Sequence, residues 1–308
     1  MNILIIGSSG FLGSSLIKAL NKNYNIFCYD IVAANKDFES DNKIKKFFKA
    51  NASSKQKLKV ALKNIDIVFY RSGITGGPKS IDLKSADLYL KVNFENLITI
   101  LDLIERTGVK KFIFDSSEQV YGEFTNNRSG ELDEPIPYNF YGLSKLMAEK
   151  YLKTWQKKND ISVDIFRYSR VMAFDTPGVI EEIVKGALLK QKIILLGNPL
   201  HQISFVHIDD VISANIKSIK RFKRILSIYN ITGTKPISLK QLSKQIMKSI
   251  KTCKKIKIIY KKSDTKFEPT IVGMNSEHTK KILNWDPRYS IQDIIEEKIQ
   301  FILKNNKK

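Results

Sequence analysis

The stretch Asn2-Ile3-Leu4-Ile5-Ile6-Gly7-Ser8-Ser9-Gly10-Phe11-Leu12-Gly13 decides how this chain folds. Its aliphatic run from Ile3 to Ile6 reads as a strand covered on both faces, the pattern of a parallel sheet. The run ends in glycines at positions 7, 10 and 13, and Phe11–Leu20 then carries apolar residues at helical spacing. Strand, glycine turn and helix in that order begin a βαβ unit. The first glycine permits a tight turn, and the second lets backbone approach a pyrophosphate seated on the positive end of the following helix. The third lets helix and strand pack closely.

Gly7, Gly10, Phe11, Leu12 and Gly13 are therefore candidate dinucleotide-binding residues. The next strand, Asn25–Asp30, ends on a carboxylate seventeen residues past Gly13. Asp30 there accepts hydrogen bonds from ribose hydroxyls and repels a 2′-phosphate, which selects NAD over NADP. Its other reading is a cap on the segment that follows. Lys36 is the nearest cation downstream.

Outward from this unit the alternation continues. Strand patterns fall at Ile44–Phe48, Asp66–Tyr70, Lys111–Asp115 and Val163–Tyr168, and helical patterns at Lys55–Leu62, Leu83–Arg106 and Tyr141–Lys157. Such alternation predicts an α/β fold with a doubly wound parallel (Rossmann-type) sheet. After Arg170 the pattern turns irregular, as expected of a smaller mixed α/β lobe over the carboxyl ends of the strands. The expected division is 1–169 for the NAD-binding domain and 170–308 mainly for a substrate lobe, with elements around 206–232 returning to the first.

The bulk numbers fit a globular chain: 308 residues, 43% hydrophobic and 27% charged. No stretch nears the roughly 20 apolar residues of a membrane span, and the N-terminal apolar run lacks a basic flank and a cleavage site. Two cysteines, Cys28 and Cys253, make no disulfide framework and suit a reducing cytoplasm. The net charge of +21 raises nucleic acid or anionic lipid as partners. The excess is almost all lysine, with 8 arginines among 52 basic residues, and apart from Lys251 to Lys262 and Lys307-Lys308 it is dispersed. That favours a solvated surface and neither partner, since a phosphate reader would favour arginine's bidentate fork.

The chemistry is carried by Tyr141-Gly142-Leu143-Ser144-Lys145, with Ser117 twenty-four residues upstream. A Tyr and a Lys one helical turn apart place a phenol beside a cation, a proton-transfer pair suited to neutral pH. Beside a dinucleotide turn, that pair points to hydride transfer with a nicotinamide cofactor.

Together these motifs resemble the extended short-chain dehydrogenases/reductases of the NAD-dependent sugar-nucleotide epimerase/dehydratase kind. The resemblance covers nearly the whole chain. It includes Asn93 in the first long helix, and Phe112-Ile113-Phe114-Asp115-Ser116-Ser117-Glu118-Gln119-Val120-Tyr121-Gly122. It continues through Phe166-Arg167-Tyr168, Phe205-Val206-His207-Ile208-Asp209-Asp210-Val211, Tyr229-Asn230-Ile231 and Lys281-Ile282-Leu283-Asn284-Trp285-Asp286-Pro287. It implies that Tyr141 exchanges a proton with a substrate hydroxyl, and that Lys145 holds the nicotinamide ribose and lowers the Tyr pKa. It also implies that Ser117 hydrogen-bonds the reacting oxygen and that Asn93 belongs to the cofactor site. Glu149 reads as surface or structural, and His201, His207 and His278 as structural, with no metal set.

The departures narrow the function. Gln119 stands where dehydratases of the family carry an acid, and an amide cannot move a proton for elimination; Glu118 is acidic but one place earlier. Tyr70-Arg71-Ser72-Gly73 replaces an apolar stretch, so Arg71 either reaches a cofactor phosphate or lies at the exposed strand end. Ile203 stands where relatives often place a diphosphate-binding arginine. Arg170 supplies a replacement cation for an anionic part of the substrate, or pairs with Asp175; Lys266 is a weaker candidate. With Ser117, Glu118 and Arg170 as substrate-binding residues, the expectation is an NAD-dependent sugar-nucleotide epimerase, at C4. Its rivals are a nucleotide-keto-sugar reductase or dehydratase of the same family, and a non-catalytic NAD-sensing regulator on the same fold. The apolar residues Leu88, Val92, Leu97, Leu101, Leu146 and Leu152 predict a homodimer through the two long helices, the interface that relatives use.

Overall fold

The structure is a computed structural model, and it describes residues 1–20, 23–32, 44–76, 82–122, 130–250, 256–262 and 273–306. Lys36, Lys266, Cys253, the first lysines of the 251–262 stretch and the terminal Lys307-Lys308 lie outside the described residues.

One compact unit is built from Met1–Gly122, Glu134–Arg167 and Ile212–Tyr229. Its strands are β1 (Asn2–Ile6), β2 (Asn25–Asp30), β3 (Ile44–Lys49), β4 (Ile67–Tyr70), β5 (Lys111–Ser117), β6 (Ser162–Tyr168) and β11 (Leu226–Ile231). They form a seven-stranded sheet in the order β3-β2-β1-β4-β5-β6-β11. The pairings of β1 with β2, β1 with β4, β2 with β3 and β4 with β5 are all parallel. The strand order reverses between β1 and β4, which makes the carboxyl ends of these two strands the crevice where such sheets bind ligands.

The helices of this unit that matter to the site are α1 (Phe11–Ala19), α2 (Lys55–Ala61), a long α3 (83–104), α4 (Phe140–Gln156) and, from Ile212 onward, α6 (Ile208–Ile219). The even helix expected over Leu83–Arg106 is broken into pieces: a 3-10 turn at Leu83–Ser85, α-helix at Ala86–Leu90, a π-helical turn at Lys91–Glu95 and α-helix again at Asn96–Ile104. Periodicity cannot show one inserted residue, because the apolar faces on either side still point inward. Leu4, Ile6, Val68, Phe112 and Val163 from the sheet pack with Leu58, Leu97, Leu101 and Leu152 from α2, α3 and α4 in one continuous buried cluster.

The other unit contains Tyr168–Val211 and the described residues from Asn230 onward, with residues 130–133. It holds β7 (Arg170–Met172) parallel to β10 (Phe205–His207), β8 (Lys192–Leu196) parallel to β13 (Lys257–Lys261), and β9 (Gln202–Ile203) antiparallel to β12 (Ile237–Ser238). Around them lie α5 (Val179–Lys190), α7 (Leu239–Ile250), α8 (Glu277–Leu283) and α9 (Ile291–Asn305). Ile183, Val184, Ile193, Phe205, Leu242, Ile246, Ile295 and Ile299 form its core. Asp210 accepts from the backbone N–H groups of Arg288 (2.9 Å) and Tyr289 (3.2 Å), and Trp285 Nε1 donates to the Asp210 carbonyl at 3.0 Å. This ties the Asp-Asp-Val and Asn-Trp-Asp-Pro motifs together as structure.

Candidate active site

The glycine turn is shaped by close approach. Gly7 has φ +85°, and a Cβ there would lie 2.7 Å from the Arg71 carbonyl carbon. A Cβ on Gly13 would lie 2.2 Å from the Gly7 carbonyl oxygen, so α1 could not seat on the turn with any larger residue. Gly10 caps α1 without a side chain, and no acidic residue occupies the first helical turn. That leaves the helix N-terminus for an external anion. Ser8 Oγ, at the same turn, is buried without a hydrogen-bond partner among the described residues. Asp30 closes β2 beside it: one carboxylate oxygen accepts from Ser9 N–H at 2.9 Å and the other from Val32 N–H at 3.0 Å. Asp30 therefore caps the following segment and borders the glycine turn.

The second half of the site lies on β5 and α4. Asn139 caps α4, its Oδ1 accepting from Gly142 N–H at 2.7 Å; Tyr141 lies in the first turn and Lys145 one turn further on. Both are buried. The Tyr141 hydroxyl hydrogen-bonds Ser117 at the end of β5, and the Tyr89 ring from α3 meets the Tyr141 ring edge-on at 6.1 Å. Lys145 Nζ donates to the Asp115 carbonyl at 2.8 Å and lies 4.8 Å from the centre of the Phe114 ring. Asn93 sits in the π-helical turn of α3. Its Oδ1 accepts from Ile74 N–H at 2.8 Å, while its Nδ2 donates to the Ile74 carbonyl and to Ser144 Oγ, both at 3.1 Å. Asn93 thereby clamps the segment after β4 to the helix that carries Tyr141, a common use of a π-turn. Glu118 follows Ser117 and is buried, and Gln119 Oε1 accepts from Asn139 Nδ2 at 2.8 Å.

Electrostatics runs against the simplest expectation. Burial pushes the Tyr141 phenol up to about 12; the Ser117 hydrogen bond lowers it, and the nearby charges of Asp115 and Glu118 raise it further. Burial pulls Lys145 down to about 8 against the opposing pull of Asp115 and Glu149. In the protein alone, burial outweighs any lowering of the phenol by Lys145.

The structure decides several readings that the sequence left open. Of the two for Glu149, surface or structural, it takes the structural one: Glu149 is buried, takes Arg167 on both oxygens (2.5 and 3.0 Å), and accepts from Ser116 Oγ at 2.5 Å. Arg167 Nη1 also donates to Tyr121 Oη at 2.7 Å, so this network ties α4 to β5 and β6. Arg71 is neither exposed nor turned to solvent; its side chain is buried and ion-paired with Asp115 at 3.0 Å. A charged residue inside each of two apolar strands was the available signal. Arg170 is exposed in β7 and belongs to the other unit, as does Ile203, which is buried against that unit's core.

Residues 3–232 match the sequence profile of the NAD dependent epimerase/dehydratase family. The chain belongs to this family. Membership makes NAD the cofactor, and the cradle fits it: an open helix N-terminus, a buried unpaired hydroxyl at Ser8 and a carboxylate at the strand end. Among similar proteins, y4nG of Sinorhizobium fredii, itself uncharacterized, is 29% identical over 83% of this chain and 62% of its own length. The chain thus spans less than two thirds of that relative. A putative UDP-glucose 4-epimerase of Methanocaldococcus jannaschii is 28% identical over 73% of this chain and 76% of its own. Among solved structures, a UDP-glucuronic acid 4-epimerase from Bacillus cereus, in complex with UDP-glucuronic acid and NAD, superposes with a TM-score of 0.87. It is 24% identical, covers 99% of this chain and 100% of the other, and shows a shared fold.

Proposed function

We propose that this chain is an NAD-dependent 4-epimerase of nucleotide sugars. The observation that carries the proposal is the buried Tyr141 hydroxyl on Ser117, one helical turn before Lys145, with the neighbouring Gln119 amide tied to Asn139. This arrangement moves one proton at one oxygen. When bound, NAD would supply the hydride acceptor and donor, so net redox would be zero. Tyr141 Oη would take the proton of the C4 hydroxyl as the carbonyl forms, and return it to the same oxygen when that carbonyl is reduced from its opposite face. Ser117 Oγ holds that oxygen through both halves. Lys145 keeps a positive charge near the phenolate and holds the ribose. Two of the similar proteins named above, the Methanocaldococcus and Bacillus proteins, carry 4-epimerase names, which supports the same reading.

Asp30 selects NAD in this reading, Asn93 orders the cofactor-side loop, and the second unit supplies the substrate lobe, with Arg170 facing an anionic part of the substrate. The protein acts as a cytoplasmic homodimer. No described helix is long and apolar enough to cross a membrane, and Leu88 and Leu143 on the two long helices are exposed while Leu97, Leu101 and Leu152 are core. The test is a panel of nucleotide sugars followed by NMR without added NAD. Appearance of the C4 epimer at equilibrium is the expected result. A need for stoichiometric NADH would make the protein a reductase, and loss of water from the sugar would make it a dehydratase.

A further inference from the structure

The family's usual stretch after β4 is apolar, and this chain puts Arg71 there. The guanidinium is buried beneath the crevice. Nη1 donates to Asp115 Oδ2 at 3.0 Å, Nη2 donates to Asn215 Oδ1 on α6, and Cζ lies 5.0 Å from the centre of the Phe69 ring. Nε is buried with no hydrogen-bond partner among the described residues. The Arg71 backbone is equally engaged: its N–H donates to the Ile6 carbonyl at 2.8 Å, and its carbonyl carbon fills the space a Gly7 side chain would need. Asp115 in turn carries Lys145 on its backbone oxygen. One residue therefore touches the cofactor turn with its main chain and the support of the Tyr–Lys pair with its side chain.

We propose that Arg71 is a positioning residue: by holding the buried Asp115 carboxylate it fixes the β5 carbonyl that carries Lys145, and it offsets a negative charge that would otherwise act on the Tyr141–Lys145 pair. The inference rests on the epimerase reading for its catalytic consequence, while its electrostatic part stands without substrate. The charge balance around the pair has few members. Asp115 and Glu118 approach Tyr141 from the end of β5, Tyr89 from α3, and Lys145 from α4 itself; Lys145 further feels Glu149. Of these acids, Glu149 is engaged by Arg167 and Asp115 by Arg71. Asp115 acts on both members of the pair, so its partner sets the field at the reacting oxygen. An apolar residue at 71 would remove the ion pair that holds that buried carboxylate, which fits the two charges occurring together.

The experiment titrates Lys145 by NMR in protein carrying ¹³Cε-lysine, as purified and with saturating NAD, the resonance being assigned by its absence in Lys145→Met. Asp115→Asn keeps an acceptor for Arg71 and removes the charge. Its Lys145 midpoint should fall by about one pH unit, since an unneutralised cation then faces the amine. Arg71→Leu/Asp115→Asn buries no unpaired charge, and its midpoint should return toward the wild-type value. Turnover of Asp115→Asn should drop in kcat with KM and NAD binding held. Equal midpoints in wild type and Asp115→Asn overturn the proposal, as does a double variant that stays with Asp115→Asn; either result makes Arg71 a structural residue. Failure of the epimerase reading would appear instead as a wild type without C4 turnover, with the titration still readable.

Discussion

Replacing Tyr141 with Phe removes one buried hydroxyl and its hydrogen bond to Ser117. A hydrogen bond of this kind contributes about 0.5–1.5 kcal/mol net, and the phenyl ring keeps its packing against Tyr89. The melting temperature should therefore move by only about 2–4 °C. Catalysis should suffer far more. A phenol pushed up to about 12 is ionised at pH 8 in roughly one molecule in 10⁴, equivalent to about 5 kcal/mol. A working enzyme must reduce that penalty, through the Lys145 charge and the positive nicotinamide ring, so kcat/KM should rise with pH and level off well below 12. Without the hydroxyl no group takes the C4 proton, and turnover should fall by about 10²–10⁴-fold. The assay is NMR of nucleotide-sugar interconversion on wild type and Tyr141→Phe, with NAD content measured on both. If the variant keeps more than about a tenth of the activity, Tyr141 is not the proton-transfer group.

Asp30→Ala should bring NAD and NADP affinities together, measured by titration into cofactor-free protein; an unchanged preference removes Asp30 from the ribose site. Glu149→Ala strands the buried Arg167 and should cost about 3–5 kcal/mol in urea unfolding, whereas a loss below about 1 kcal/mol would mean the network adds only what a surface pair does. Arg170→Ala should raise KM for an anionic substrate by about 1.5–3 kcal/mol equivalent with stability unchanged; a normal KM with a lower melting temperature would make it structural. Leu88→Asp should shift sedimentation from dimer to a 35.3 kDa monomer, and a wild type already monomeric at micromolar concentration would defeat the dimer. Lys145 titrates at about 8 when folded and at 10.5 as a free group. The unfolded chain thus binds more protons in between, and stability relative to Lys145→Met should rise from pH 8 to pH 10 in thermal melts.

The sequence alone determined the strand–turn–helix of residues 2–13, the strand and helix alternation, and the placing of Ser117, Tyr141 and Lys145 on adjacent elements. Each of these rests on local spacing: a glycine trio, a two-residue or 3.6-residue period, and an i, i+4 pair that any helix brings to one face. Asp30 was legible for the same reason, as the end of a short strand at a fixed distance from the turn. What only the tertiary structure decided depends on which residues meet across the sheet. Arg71 and Asp115 lie 44 residues apart, one just after β4 and the other on the neighbouring strand β5, and nothing local says that two charges beside and within apolar runs will neutralise each other. Glu149 could be read from its own helix as either surface or structural, and Arg167 on β6, distant in sequence, decides for the core. The π-turn at Asn93 was hidden because its cause, a side chain bridging Ile74 and Ser144, lies in other segments. The same holds for the phenol's raised proton affinity, since burial comes from neighbours brought by folding and not from the four-residue spacing that first marked the pair.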